Sequence, residues 1–369
     1  MIYVPKQLEK YFLSPLGKAK LGTKKVDKIN EYLRQQMGFG AVKDILPIKT
    51  SKMLKSKFFI LDDSTVMRAL SGWCWSNLKE DDKARVVWHL INREMKDTGN
   101  KADTPKLSFY PTKEQVEKKC DAMYTAGTDN TVYLNPKFIA HKQGNGAKVA
   151  SLIGHELQHA KDFRTCRNEI IPYITGRYTR NKFFLTARGE IEGLPVEGQI
   201  YNYATREYER VTPELREKLL FAKHYICAIK PEAENVKKID EITTRKQLRN
   251  TLEYLAYRYT PLEKRAFERG AKLAKIVSDN NAKMGEALGS DFETANAERK
   301  SIEHFEEQMK MLEKITKIKM HTICDLFSKR SFYDEFAPNT DASKKNREEV
   351  DQLVETIFGK VAAYNMGGM

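Results

Sequence analysis

Apolar residues recur at the three- and four-residue spacing of a helix through most of this chain. Residues 80–96 hold one such pattern, whose apolar face consists of Val86, Val87, Leu90 and Ile91. A second pattern predicts a helix from about Ala147 to Phe163, whose apolar face consists of Ala150, Ile153, Leu157 and Ala160. From about residue 196 the pattern predicts helix after helix, including one long, charged amphipathic helix over residues 290–330.

Proline marks the breaks between these later helices, which fall at Thr212-Pro213, Lys230-Pro231 and Thr260-Pro261. Only two short segments have the composition of strands, and they are Leu107–Tyr110 and Thr131–Leu134. The second ends at Asn135-Pro136, which is a stop signal. The pattern therefore predicts an α+β fold in which a small sheet is embedded in a predominantly helical protein.

Composition favours a folded protein in a reducing compartment. The chain of 369 residues is 41% hydrophobic, which is enough for a substantial core. It has no run of about 18 apolar residues, so we expect no membrane span. The five cysteines are widely spaced and form no C-x-x-C pair, which favours free thiols. The first residues lack the pattern of a secretory signal, so we expect the protein to be cytoplasmic, or exported without such a signal.

The net charge of +14 is concentrated near the start of the sequence, where residues 1–60 carry thirteen Lys or Arg against four acidic residues. Such a region suits an acidic partner, nucleic acid or a membrane surface. It lacks the interleaved aromatic residues that single-strand binders use for stacking. A solvated basic face is therefore the plainer interpretation, and nucleic acid is kept as an alternative partner.

The predicted helix over 147–163 contains an H-E-x-x-H motif formed by His155, Glu156 and His159. Residues four apart lie on one helical face, so both imidazoles can bind one metal ion. Glu156 projects beside the metal, where its carboxylate can accept a proton from a water held there. Asp162 follows three residues after His159 and is a candidate hydrogen-bond partner for a histidine or a neighbouring helix.

The stretch GHELQHAKD resembles the active-site helix of the gluzincin metallopeptidases, a superfamily that includes thermolysin-like enzymes and many bacterial and phage zincins. The resemblance implies a zinc peptidase with a strand–strand–active-helix core, a third glutamate ligand on a later helix, and Glu156 as general base. It is close only over the dozen residues around the motif. Lys161 departs from it, because such helices usually carry an apolar residue there.

A catalytic zinc usually has three protein ligands. The metzincin extension would need a histidine at position 165, where this chain has Thr165, so a carboxylate is the expected third ligand. Glu263 stands in an E-x-x-A segment that is similar to the P-x-E-x-x-A element of many phage and bacterial zincins, although Thr260 and Glu263 also fit a capping box. Glu190 is the main alternative, and Glu192 and Glu197 stay open beside it.

An electrophile that stabilises a developing oxyanion is also expected in such a site. The tyrosines near the candidate ligand segments are Tyr201, Tyr203, Tyr257 and Tyr259. Sequence alone does not choose among them.

We therefore predict a zincin-like core with Zn²⁺ as cofactor. Residues 1–75 are expected to be a basic helical extension, residues 76–280 the metallopeptidase domain, and residues 281–369 a helical region. The predicted function is hydrolysis of peptide bonds in a protein or peptide substrate. The alternative is a non-catalytic binding protein with a degenerate zincin core and a basic arm for an acidic or nucleic-acid partner.

Overall fold

The computed structural model describes residues 63–96, 104–109, 121–126, 130–140, 145–170, 198–202, 204–226, 228–231, 236–283 and 290–367. Its helices are α1 (Asp63–Ala69), α2 (Gly72–Asn77), α3 (Glu80–Glu94), α4 (Gly146–Ile170), α5 (Pro213–Ile226), α6 (Arg245–Tyr259), α7 (Pro261–Lys283), α8 (Ser290–Thr316), α9 (Met320–Phe336) and α10 (Asp341–Gly367). Its strands are β1 (Lys106–Ser108), β2 (Ala122–Thr125), β3 (Thr131–Leu134), β4 (Gln199–Asn202) and β5 (Glu207–Arg210). The predicted combination of many helices with a small sheet is confirmed.

The chain divides into two compact units, whose boundaries at residues 161/162, 264/265 and 301/302 fall within α4, α7 and α8. The first unit comprises the described residues up to Lys161 and the segment Arg265–Ser301. The second comprises the described residues of Asp162–Lys264 and Ile302–Met369. The predicted division at residues 75 and 280 stays a prediction, and its part before residue 63 lies outside the described residues.

A three-stranded sheet in the order β1-β3-β2 belongs to the first unit. The central strand β3 pairs in parallel with β1, placing Leu107 opposite Val132, and antiparallel with β2, placing Ala122 opposite Leu134. Leu107, Val132 and Leu134 have no exposed surface, so this face is packed against the helices. The predicted strand Thr131–Leu134 is confirmed, and β2 was not predicted. The strand predicted over Leu107–Tyr110 is present as Lys106–Ser108, and Tyr110 lies outside the described residues.

The core of the first unit brings the sheet together with the apolar faces of α3 and α4. Val86, Val87, Leu90 and Ile91 of α3 are fully buried, as their helical spacing predicts. Ile153 and Leu157 of α4 lie in the same cluster, and so do Leu273 and Val277 of α7. The predicted apolar faces of both helices are therefore confirmed, and α7 completes the core from a distant part of the sequence.

The second unit packs α6 against α9 and α10, with buried Leu252, Phe327 and Val350 in one cluster. It also contains the antiparallel hairpin of β4 and β5, so the prediction of helix after helix from about residue 196 was wrong over residues 199–210. The hairpin turn uses Arg206 at a φ of 62° and carries no glycine. Asn202 Oδ1 accepts hydrogen bonds from the N–H groups of Ala204 and Thr205, which supplies the turn chemistry.

The predicted single helix over 290–330 was also wrong, because the chain breaks between α8 and α9. Lys317 has a φ of 61°, which ends the regular helix. Thr316 Oγ1 donates to the Leu312 carbonyl and accepts from the Ile318 N–H at 3.1 Å. The break therefore depends on hydrogen bonds of a threonine, with neither Gly nor Pro to mark it.

No helix among the described ranges has the length and apolar character that crossing a bilayer requires. Three cysteines of the described segments are buried and form no disulfide, namely Cys74, Cys166 and Cys324. The lack of disulfides at these three positions agrees with the expectation from cysteine spacing.

Candidate metal centre

Helix α4 carries the H-E-x-x-H motif on a segment that is fixed along one side by burial. The residues of its predicted apolar face are all at most 4% exposed, namely Ala150, Ile153, Leu157 and Ala160. The predicted helix over 147–163 is confirmed, and it continues to Ile170. The two histidines are half-buried, on a different side of the helix from this packed face.

His155 and His159 direct their Nε2 atoms towards each other. These two atoms lie 3.1 Å apart, and the two rings meet edge to face with centroids at 4.8 Å. Two imidazole nitrogens on one tetrahedral zinc would be separated by about 3.3 Å, given zinc–nitrogen bonds of about 2.0–2.1 Å. The spacing of the pair therefore fits two ligands of one ion.

Glu263 is the acidic residue that the structure brings to this pair. One ligand atom each from His155, His159 and Glu263 lie within 4.8 Å of one another, and all three side chains are half-buried. Among the described residues this is the one group of three or more His, Cys, Asp or Glu side chains with such spacing. Glu190, Glu192 and Glu197 lie outside the described residues, so the ligand role of Glu263 stays a prediction.

Glu263 reaches this position from the first turn of α7, which begins at Pro261 as the Thr-Pro pair predicts. Thr260 Oγ1 accepts a hydrogen bond from the Glu263 N–H at 3.4 Å. The reciprocal half of a capping box would need the Thr260 N–H, but this group donates to the Tyr257 carbonyl at 3.1 Å. The threonine therefore caps the helix while the glutamate carboxylate lies near the histidines.

Helices α4 and α7 approach very closely within the first unit because glycines stand at their crossing. A Cβ atom on Gly270 would lie 2.8 Å from the Ser151 carbonyl oxygen, and one on Gly154 would lie 2.7 Å from Leu273 Cδ1. The fully buried Ala266 also belongs to this face of α7. Small side chains thus let the backbone of α7 lie against the helix that carries both histidines.

Phe267 lies one turn after Glu263 on α7 and packs edge to face against the ring of His155, with centroids 4.5 Å apart. This contact restricts the rotamer of His155. Sequence reasoning missed it, although an aromatic residue four positions after the candidate ligand is a signal that could have been used.

An ion pair on the same helix connects α7 to α3. Arg269 pairs with Glu94, which is 6% exposed and also accepts from Arg93 at 3.0 Å. Burial lowers the pKa of Arg269, and the positive charge of Arg93 adds to this. The buried Glu94 carboxylate is therefore shared by two guanidinium groups and joins α7 to α3 within the first unit.

Two acidic residues on α4 accompany the histidines. Glu156 is 7% exposed, and its place directly after His155 turns it about 100° away around the helix. Asp162 is 1% exposed, so its carboxylate is enclosed by protein, as a hydrogen-bond partner would be. Their roles as general base and as ligand-orienting group stay predictions.

The tyrosine candidates for an electrophile are placed as follows. Tyr201 packs against Tyr208 in the hairpin at 5.1 Å, and Tyr257 packs against Tyr254 at 5.8 Å. Burial raises the pKa of Tyr259, and negative charge on Cys324, Glu313 and Asp325 adds to this. Tyr203 lies outside the described residues. These contacts all belong to the second unit and assign no electrophile.

No family model, no curated protein and no solved structure matches this chain. The interpretation of the centre therefore depends on the residues and on their arrangement alone.

Proposed function

We propose that this protein is a zinc-dependent peptidase of the gluzincin-like type, in which His155, His159 and Glu263 hold the metal. The observation that carries the proposal is the convergence of one ligand atom from each of these residues within 4.8 Å. Two imidazoles and a carboxylate are a common ligand set for catalytic zinc, and they leave a fourth position open. Bound zinc polarises a carbonyl group and makes hydroxide available near neutral pH.

The residues of the chain have distinct tasks in this proposal. The Glu156 carboxylate accepts a proton from the attacking water and then delivers it to the nitrogen of the leaving amine. Glu156 is buried on α4, and burial limits the number of orientations that its side chain can take. Phe267 keeps the His155 ring in its orientation, and Asp162 is proposed to orient a ligand through a hydrogen bond.

The arrangement on two packed helices supports an active centre more than a degenerate one. A binding protein that merely descends from a peptidase has no need to keep two histidine nitrogens 3.1 Å apart beside a carboxylate. The substrate is proposed to be a protein or peptide, because the general base next to the metal suits amide hydrolysis. A reducing compartment belongs to the same proposal and is supported by the three described cysteines that form no disulfide.

The test compares the wild-type protein with Glu156→Gln and His155→Ala. Elemental analysis is expected to find about one zinc per chain in the wild type and in Glu156→Gln, and much less in His155→Ala. Cleavage of a broad peptide library, followed by mass spectrometry, is expected for the wild type only. The library contains acidic and basic sequences in equal number, so that it also reports preference.

Two results would remove the proposal in different ways. A wild-type chain that neither contains zinc nor takes it up would favour the alternative, a non-catalytic binding protein. A Glu156→Gln variant that cleaves peptides at the wild-type rate would show that the general base is a different residue.

A further inference from the structure

The start of α4 is held by a carboxylate from a distant helix. Asp291, in the first turn of α8, is 3% exposed and accepts from the Ala147 N–H at 3.3 Å through Oδ1. Its Oδ2 accepts from the Gly72 N–H at the start of α2 at 2.5 Å. One buried carboxylate thus satisfies a backbone N–H at the start of each of two helices, where no intrahelical acceptor exists.

Asn145 completes the cap of α4, and a residue of α8 holds the Asn145 side chain. Asn145 Oδ1 accepts from the Lys148 N–H at 3.0 Å, which is an N-cap hydrogen bond. The side-chain amide of Asn145 donates to Thr294 Oγ1 at 2.9 Å. One turn further along α8, Glu298 pairs with Lys148 at 2.8 Å. Residues 291, 294 and 298 have helical spacing, so one face of α8 serves the first turn of α4.

The packing around this contact leaves little room for movement. A Cβ atom on Gly146 would lie 1.8 Å from the Leu70 carbonyl oxygen, so only glycine fits at position 146. A Cβ atom on Gly72 would lie 2.8 Å from Asp291 Oδ2. The starts of α2, α4 and α8 therefore meet at one point within the first unit.

The start of α4 belongs to the same helix as the two histidines. Ala147 precedes His155 by eight residues, which is about 12 Å along a helix. Between them, α7 contacts α4 at Ser151 and Gly154. Helix α4 is therefore held at its start by α8 and in its middle by α7, and the two histidines extend from the part that is held.

We infer that Asp291 is a positioning residue for the metal centre, acting through the first turn of α4. The inference rests on the proposed function for its metal and adds a residue that binds no ligand. If Asp291 sets the position of α4 against α7, removing one carboxylate oxygen shifts both imidazoles relative to Glu263. The shift weakens zinc binding although all three ligands are still present.

Asp291→Asn is the sharpest test, because asparagine has the same shape and only one acceptor oxygen. It can accept from either Ala147 or Gly72, and its amide then faces the other N–H donor. Asp279→Asn is the matched control. It makes the same change at an exposed residue of α7 that pairs with Lys275 at 2.6 Å.

Three readouts are measured on each full-length variant. Zinc affinity is determined by competition with a chromogenic chelator, and coordination by the visible absorption of the cobalt(II)-loaded protein. Amide hydrogen exchange over residues 145–152 is followed by mass spectrometry without metal. For Asp291→Asn we expect about tenfold weaker zinc binding, an altered cobalt spectrum and faster exchange. Asp279→Asn is expected to match the wild type in all three.

The outcomes separate this inference from the proposed function. A wild-type protein that binds no zinc overturns the proposed function and the inference together. A wild-type protein that binds zinc, with Asp291→Asn equal to it in affinity and spectrum, overturns the inference alone. If Asp291→Asn does not fold, Thr294→Ala is the second variant, because it removes the hydroxyl that supports Asn145. It is expected to weaken zinc binding about threefold. Unchanged affinity and exchange in that variant would also overturn the inference.

Discussion

Gly270 of α7 and Ser151 of α4 approach so closely that a methyl group on Gly270 would lie 2.8 Å from the Ser151 carbonyl oxygen and 3.0 Å from its hydroxyl. A backbone oxygen cannot turn aside as a flexible side chain can. The two helices can lie this close at the crossing because the side chain of residue 270 is a single hydrogen atom.

Gly270→Ala is expected to destabilise the protein by about 1–3 kcal/mol through overpacking, partly offset by the higher helix propensity of alanine. Zinc affinity is expected to fall as well, because the helices must separate. Denaturant unfolding and chelator competition measure the two effects.

Gly359→Ala in α10 is the matched control, since a Cβ atom there would meet nothing within 4 Å. It is expected to stabilise the protein by about 0.5–1 kcal/mol through helix propensity alone. Equal changes in the two variants would mean that the crossing of α4 and α7 tolerates a methyl group.

Glu263→Gln tests the third ligand without changing the size of the side chain. Loss of the carboxylate charge is expected to lower zinc affinity at least about tenfold, because amides are poor zinc ligands. Glu268→Gln is the control on the same helix, and its side chain is exposed. Elemental analysis after dialysis against a weak chelator reports both. Retention of zinc by Glu263→Gln would mean that Glu263 is not the third ligand, and Glu190 would be the next residue to test.

Because of the buried His89, we expect the free energy of unfolding to fall in acid. It is 2% exposed, and burial, with the positive charge of Arg85 adding, lowers its pKa from 6.5 to about 3. As the pH falls, His89 is therefore protonated in the unfolded chain at a higher pH than in the folded protein. The stability that neutral His89 contributes is complete above pH 6.5 and is lost between pH 6.5 and about 3.

The loss attributable to His89 is about 2 kcal/mol at about pH 5. Urea unfolding at about pH 7.5 and at about pH 5 measures it, in the wild type and in His89→Phe. The variant is expected to lose about 2 kcal/mol less over this interval, because carboxylates contribute to both proteins alike. Identical losses would contradict the lowered pKa.

Lys317→Gly is expected to stabilise the break between α8 and α9 by about 0.5 kcal/mol, because glycine adopts a positive φ without the cost that a side chain adds there. Lys314→Gly, within α8, is the control and is expected to cost about 1 kcal/mol. Thermal unfolding compares the two. A loss of stability in Lys317→Gly would mean that the Lys317 side chain contributes more than its backbone strain costs.

Local patterns predicted the parts of this fold that depend on local chemistry. The apolar spacing in α3 and α4 and the Thr-Pro starts of α5 and α7 are examples, since each is determined within about a dozen residues. The H-E-x-x-H motif belongs to the same class, because two histidines four apart on a helix must share a face.

Other elements depend on residues that the sequence does not mark. The hairpin turn at Arg206 and the break at Lys317 place residues with side chains at positive φ, where glycine is the usual signal. The contacts of Gly270 with Ser151 and of Asp291 with Ala147 join residues more than a hundred positions apart. Periodicity within a segment carries no information about such pairs, so the choice between Glu263 and Glu190 stayed open.

The order in which the chain leaves the ribosome separates the proposed ligands in time. Both histidines are synthesised about a hundred residues before Glu263, and Gly270 and Asp291 follow later still. A nascent chain that ends at α6 has the histidine pair but neither the carboxylate nor the helices that hold α4 within the first unit. A centre that depends on the later helices therefore cannot be complete before they emerge, which delays any activity until most of the protein has been made.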